Sequence, residues 1–321
     1  MNQADVVAAL ISAGVALAAG VLSGPQLISW LYRLKYGQSI RTDGPQSHLK
    51  KAGTPTMGGF LIWFALLVSL AVQRVINPQV GWLMLITLGH AVLGYLDDYI
   101  KAVRKNPDGL SARAKLIGQF SLAGLFYVAL LASGPQTLVI PLVQWEWHMG
   151  VLYPCFVVLY MVFFSNAVNF ADGIDGLNGG LCIIFSLMCM VTAFLQGQQD
   201  LALVAAALVG ALASFLVFNL HPAKLFMGDT GSLGLGAILA GMALLLRQEF
   251  VMLLAGIVFL AEMLSVIIQV LYFKRTGGKR FFRMAPIHHH FELGGWSEWK
   301  IDFTFWGIAG IASLIAYALL I

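Results

Sequence analysis

Long apolar runs separated by short polar connectors dominate the chain, falling near residues 6–31, 58–73, 80–96, 117–133, 151–168, 180–196, 200–219, 232–246, 250–273 and 303–321. A helix needs about 20 mainly apolar residues to cross hydrocarbon, so the pattern predicts about ten transmembrane helices. Stretches such as Phe250 to Ala261 show no period of two, which excludes the alternating strands of a transmembrane barrel. The ninth run is longer than one crossing requires and predicts tilt or a break.

Composition agrees with this reading. Of 321 residues, 59% are hydrophobic and 11% charged, against about 25% charged in an average soluble domain. A soluble globule and a disordered chain are both excluded. The crossings use up most of the length, and no repeat, linker or low-complexity tract divides it, so residues 1–321 read as one transmembrane domain of all-α class. The start, MNQADVVAAL, carries Asp5 where a cleaved leader would carry Lys or Arg, so the first run is expected to be retained as a span. Cys155, Cys182 and Cys189 lie inside apolar runs without paired or zinc-like spacing and read as small hydrophobes.

Charge adds orientation. Seventeen of the 19 Lys and Arg residues lie in connectors that follow odd-numbered runs, and only Arg74 and Arg247 lie in the others. Because basic loops stay on the cytosolic side, both termini are expected outside. A one-sided positive charge favours anionic headgroups or anionic soluble substrates, and no nucleic-acid partner is implied.

Acids gather on the same expected face, at the ends of runs 3, 5 and 7. Asp97 and Asp98 in GYLDDYIK are adjacent, so on a helix they diverge by about 100° and cannot easily share one task. One could hold a cation while the other acts as a base; a plain charged helix end is the alternative. In NAVNFADGIDGLNGG, a continuous helix would align Asn169, Asp172 and Gly176, with Asp175 three residues beyond Asp172. Turn residues closing a span are the alternative there. The segment NLHPAKLFMGDTGSLGLG places Asp229, Thr230 and Ser232 where a helix N-cap belongs, and free N–H groups at such a terminus also suit phosphate. It has no G-x-x-x-x-G-K-[ST], so ATP is not implied.

Three further features carry candidate chemistry. His288, His289 and His290 are consecutive and point in different directions, so one metal bound by all three is not expected; one or two imidazoles donating to phosphate fits better. Glu262 lies inside the ninth run with Gln269 seven residues on, and reads either as a functional acid or as a buried hydrogen-bonding link between helices. The basic loop with Arg41, His48, Lys50 and Lys51 ends in a Thr-Pro-Thr and glycine sequence richer than a simple anchor needs. Between runs 4 and 5, VIPLVQWEWHMG reads as a short hairpin or an interfacial helix. Carboxylates without soft ligands favour Mg²⁺ or Mn²⁺. With Lys, Arg and His on one face they describe metal-assisted phosphoryl transfer at a membrane surface.

GTPTMGG (53–59), LDDYIK (96–101), NAVNFADGIDGLNGG (166–180), FMGDTGSL (226–233) and PIHHHFE (286–292) together resemble the phospho-N-acetylmuramoyl-pentapeptide transferase family, within the polyprenyl-phosphate N-acetylhexosamine-1-phosphate transferases. The resemblance implies ten helices in the bacterial inner membrane with a cytosolic active site. It also implies Mg²⁺ as cofactor, UDP-MurNAc-pentapeptide and undecaprenyl phosphate as substrates, lipid I and UMP as products, and a homodimer at the level of the family. Matched by motif, Asp229 is the expected metal ligand, Asp97 and Asp98 the essential acidic pair, and His288 an essential histidine. Asn169, Asp172 and Asp175 are expected near metal and nucleotide. Lys51, Thr56, Lys115, Asn219, Phe226, Gln269 and His289 are expected around the substrates, with Phe226 stacked on uracil and Gln269 hydrogen-bonding beside it. The expected reaction is a direct attack with Asp97 as base, a covalent aspartyl route being the alternative.

Overall fold

A computed structural model describes residues 3–34, 53–106, 108–132, 134, 136–141, 143 and 145–321. Their order is α1 (Gln3–Arg33), α2 (Gly59–Val72), α3 (Pro78–Ala102), α4 (Ala112–Leu130), β1 (Thr137–Ile140), β2 (Trp145–His148), α5 (Tyr153–Ala171), α6 (Leu177–Leu195), α7 (Gln199–Asn219), α8 (Gly228–Leu245), α9 (Glu249–Ala255), α10 (Ile257–Arg275), α11 (Ile287–Glu292) and α12 (Glu298–Ala318). Each predicted apolar run falls on helix. Among the described residues eight helices are long and apolar enough to cross a membrane; α2, at 14 residues, is shorter, and α4 carries Arg113 and Lys115 in its first turns. The protein is an all-α polytopic membrane protein. The ninth run is broken rather than merely tilted: Gly256, packed against Phe164 and Phe185, separates α9 from α10.

Helix α8 is the hub. It packs on α2, α3, α5 and α6 and is buried over nearly all its length. Lipid gives helices no hydrophobic reason to associate, so close approach through small residues supplies the contact, and GDTGSLGLGAILAG offers little else. The partner helices match it. At Gly94 of α3 an added Cβ would overlap the carbonyl oxygen of Asp229, so the C-terminal turns of α3 lie directly on the start of α8.

Polar contacts concentrate at the two ends of the bundle. At one end Arg247 donates to Thr137 Oγ1 and pairs with Glu146 at 3.6 Å, which fastens the antiparallel β1–β2 hairpin, Thr137 facing His148. The segment expected as hairpin or interfacial helix is thus a hairpin, with Trp145 and Trp147 exposed. At the other end the C-termini of α3, α5 and α7 meet the N-termini of α4, α6, α8 and α12, as the side-chain contacts there show.

Candidate functional site

Asp97, Asp98 and Asp229 converge where α3 meets α8, with one carboxylate oxygen from each lying within 4.8 Å of the others. As adjacent residues on a helix must, Asp97 and Asp98 face different neighbours. Asp98 accepts hydrogen bonds from Asp229 N (3.1 Å), Thr230 N (2.9 Å) and Thr230 Oγ1 (2.7 Å). It therefore caps α8 from another helix. The expected local cap by Asp229, Thr230 or Ser232 does not form; no side chain of that segment caps the helix, which begins at Gly228. The N–H groups thought available for phosphate at Asp229 and Thr230 are taken by Asp98.

Asp97 faces two lysines. Its Oδ1 accepts from Leu110 N (2.8 Å) and lies 3.3 Å from Lys115 Nζ, and its Oδ2 contacts Lys101 Nζ. Lys115 also donates to Asp229 Oδ2 at 2.8 Å, with Lys101 at 3.6 Å from the same oxygen. The other oxygen of Asp229 accepts from Asn169 Nδ2 (2.9 Å), which donates as well to Ser232 Oγ (2.8 Å). Asp97, Asp98, Asp229, Asn169 and Lys115 thus form one network, as the motifs implied. Lys101 is the member that sequence reasoning passed over, although its position four residues after Asp97 on a helix was a usable signal.

The α5–α6 junction departs from the aligned-helix expectation. Helix α5 ends at Ala171, Asp172 is its C-cap and Gly176, with φ of 84°, precedes α6, so Asn169, Asp172 and Gly176 do not share a helical face. The turn reading holds. Burial, with the charges of Asp229, Asp98 and Asp175 nearby, pushes the Asp172 carboxyl well above the usual carboxylate range. Asp175 accepts from His221 Nδ1 (3.1 Å) and Ala223 N (3.0 Å), while its own N–H donates to Glu298 Oε2 (3.0 Å). Asn219 accepts from Gly176 N (3.0 Å) and donates to the carbonyl of Leu225 (2.9 Å). Both residues shape the 220–227 loop. Through it Phe226, half-buried, donates its N–H to the Pro55 carbonyl (2.8 Å) and accepts from Gly58 N (2.7 Å), and Thr56 is buried beside Asp98 and Gly228. Lys51, with Arg41, His48 and Lys50, lies outside the described residues.

The three histidines take three separate partners. His288 Nδ1 stands 3.1 Å from Oε2 of Glu262, His289 Nδ1 lies 3.0 Å from Oε2 of Glu292, and His290 Nδ1 accepts from Arg283 N at 3.1 Å. A shared metal is incompatible with that divergence. Gln269 is engaged away from the acids, accepting at Oε1 from Phe281 N (3.1 Å) and Phe282 N (2.9 Å). The structure joins this His-bearing end to the acid network through Gly173, where an added Cβ would overlap His288 Nε2.

Three hard carboxylates close enough to share a cation, flanked by two ammonium groups, suit a divalent metal and phosphate oxygens. Comparison with known proteins points the same way. The glycosyl transferase family 4 profile matches residues 80–247, and signature 1 of the phospho-N-acetylmuramoyl-pentapeptide-transferases matches residues 51–62. The chain is 48% identical over 312 residues to the phospho-N-acetylmuramoyl-pentapeptide-transferase of Listeria innocua, covering 96% of each chain. It is 47% identical over 306 residues to that of Shouchella clausii, covering 94% of each, and 46% identical over 316 residues to that of Geobacillus kaustophilus, covering 96% of each.

Proposed function

We infer the reaction from this premise: the chain belongs to the phospho-N-acetylmuramoyl-pentapeptide transferase family. It transfers phospho-MurNAc-pentapeptide from UDP-MurNAc-pentapeptide to undecaprenyl phosphate, forming lipid I and releasing UMP, in peptidoglycan synthesis. The observation that carries the reading to named residues is the network of Asp97, Asp98, Asp229, Lys101 and Lys115 at a helix junction.

Within that network the two adjacent acids divide the work. Asp98, fully used by the start of α8, holds Asp229 in place. Asp97, held by two lysine side chains and the Leu110 N–H rather than by the start of α8, serves as the general base. It accepts a proton from the lipid phosphate, whose oxygen attacks the sugar-linked phosphorus of the donor. The new P–O bond forms as the bond to the bridging oxygen breaks, and UMP leaves with that oxygen. Lys101 and Lys115 supply cations for the diphosphate oxygens. Asp229, between Asn169 and Lys115, would hold Mg²⁺, which when bound offsets negative charge on the diphosphate. Phe226, on a loop fixed by Asp175 and Asn219, offers a face for uracil, and His289 a ring nitrogen toward phosphate. Thr56 lies beside Asp98 at the same end, Lys51 is assigned to the substrates by its motif alone, and Gln269 supports the pocket by ordering the loop at Phe281. The acids face the cytosol, where the nucleotide substrate is made, and both termini face the periplasm.

UMP release from purified protein tests the reading. Release is expected only with UDP-MurNAc-pentapeptide, undecaprenyl phosphate and Mg²⁺ together. Equal turnover of UDP-GlcNAc would instead assign a GlcNAc-1-phosphate transferase, and trapping of phosphosugar on the protein without lipid would replace direct attack by a covalent route. Labelling of single cysteines placed at residue 105 and residue 143 by an impermeant reagent tests orientation; reaction of the first from outside intact cells would reverse it.

A further inference from the structure

Glu262 and His288 are both fully buried, and apart from each other neither side chain has a hydrogen-bond partner among the described residues. Their 3.1 Å separation is within hydrogen-bonding reach, although the groups are not ideally aligned. They come from different elements, Glu262 from α10 and His288 from α11, and the far edge of the imidazole presses on Gly173 in the Asp172–Gly176 turn between α5 and α6. One ring thus touches three elements. One of them, α11, carries the His motif, α10 carries Glu262, and the third carries Asp172 and leads back to Asn169 and Asp229.

We propose that Glu262 is a positioning residue for the transfer, fixing His288 as the tautomer with the proton on Nδ1 and so seating the His motif against the turn that borders the acid network. A carboxylate 3.1 Å from Nδ1 selects that nitrogen as the donor. Nε2, buried and without a partner among the described residues, is then bare and presented to the turn as an acceptor. Gly173 admits the ring there because no Cβ stands in its way. A buried acid placed only to link helices would need no particular nitrogen of its partner. This inference rests on the transferase reading above, because its kinetic test is that reaction.

The test uses the full chain with Glu262→Gln and Glu262→Leu. Gln keeps an oxygen that can accept from Nδ1–H, whereas Leu keeps volume without an acceptor. A misplaced group near a reacting centre costs up to about 10²-fold. Turnover is therefore expected to fall about 10²-fold in Glu262→Leu and to be largely restored in Glu262→Gln, with KM for the UDP donor unchanged within about twofold in both. In ¹⁵N-histidine-labelled protein in bilayers, with His288 assigned by difference against His288→Ala, the proton is expected on Nδ1 in the wild type and in Glu262→Gln. Wild-type turnover in Glu262→Leu, equal losses in both variants, or a proton on Nε2 in the wild type would each overturn the proposal. If Glu262→Leu fails to fold, the Gln variant and the wild-type tautomer still decide it. Absence of UMP release by the wild type would defeat the transferase reading instead, leaving the tautomer measurement to judge this one.

Discussion

Replacing Asp98 separates a structural acid from a chemical one. Asp98→Ala strands three donors at the start of α8, namely Asp229 N, Thr230 N and Thr230 Oγ1, and Thr230 is buried. A buried donor left without an acceptor costs about 1–3 kcal/mol, and loss of a helix cap about 0.5–2 kcal/mol. Water reaching the more open Asp229 lessens the sum, so about 2–4 kcal/mol is expected for the variant. Asp98→Asn retains one accepting oxygen and should lose about half of that. Asp97→Asn strands no helix terminus: its amide oxygen can still accept from Leu110 N, and both lysines keep Asp229. It should unfold near the wild-type temperature while losing the 10²–10⁴-fold that a general base contributes, as an order of magnitude. Thermal unfolding in detergent, followed by tryptophan fluorescence, reads the first quantity and UMP release the second. Thr230→Val adds a cycle, costing about 1 kcal/mol in the wild type and little in Asp98→Ala, because the acceptor has already gone. A wild-type midpoint for Asp98→Ala would refute the cap. A destabilised but active Asp97→Asn would refute the division of roles altogether.

Lys115→Met removes an ammonium group that contacts both Asp97 and Asp229; KM for the UDP donor is expected to rise about 10-fold as one charge-assisted contact is lost, and an unchanged KM would free Lys115 of that role. Chelation with EDTA should stop UMP release and added Mg²⁺ restore it, while Asp229→Asn should raise the Mg²⁺ concentration needed for half-maximal turnover; an unaltered metal titration in that variant would move the metal elsewhere. Gly94→Val forces side-chain atoms into the carbonyl of Asp229, with an expected loss of about 1–3 kcal/mol and a separated α3 and α8; full stability and activity would show that the helices can move apart without consequence.

The helices were legible because a membrane imposes a strong local rule, about 20 apolar residues per crossing. The break at Gly256 was foreshadowed only by excess length. The family resemblance also implied that Asp97, Asp98, Asn169, Lys115 and Asp229 serve one site, and they share hydrogen bonds and ion pairs. Reading failed where the partner is distant in sequence. The start of α8 was expected to be capped from within its own segment, but its cap arrives from Asp98, 132 residues before Thr230. The aligned helix through Asp172 and Asp175 assumed that periodicity persists past a glycine, whereas α5 ends at Ala171 and Gly176, with a left-handed φ of 84°, precedes a new helix. The alternatives for Glu262, functional acid or helix link, could not be parted without seeing His288 26 residues away in sequence.

The charge balance of the network bears on the proposed metal. Three carboxylates are met by two lysines, and the start of α8 contributes roughly half a positive charge, already directed at Asp98. Asp172 adds little when protonated, its carboxyl being pushed well above the ordinary range. By itself the site therefore stays slightly negative, and a diphosphate and a lipid phosphate must both enter it. Like charges at such separations in a partly dehydrated pocket repel by several kcal/mol as an order of magnitude. Two ammonium groups already committed to carboxylates do not reverse that sign. A divalent cation does, and held by Asp229 it would leave Lys101 and Lys115 freer to meet phosphate. The same acids that make an empty pocket hostile to phosphate give a cation-loaded pocket its affinity, so donor binding and Mg²⁺ binding are expected to strengthen each other. Lower Mg²⁺ requirement at higher donor concentration is the measurable sign, and independent titrations of the two would contradict it.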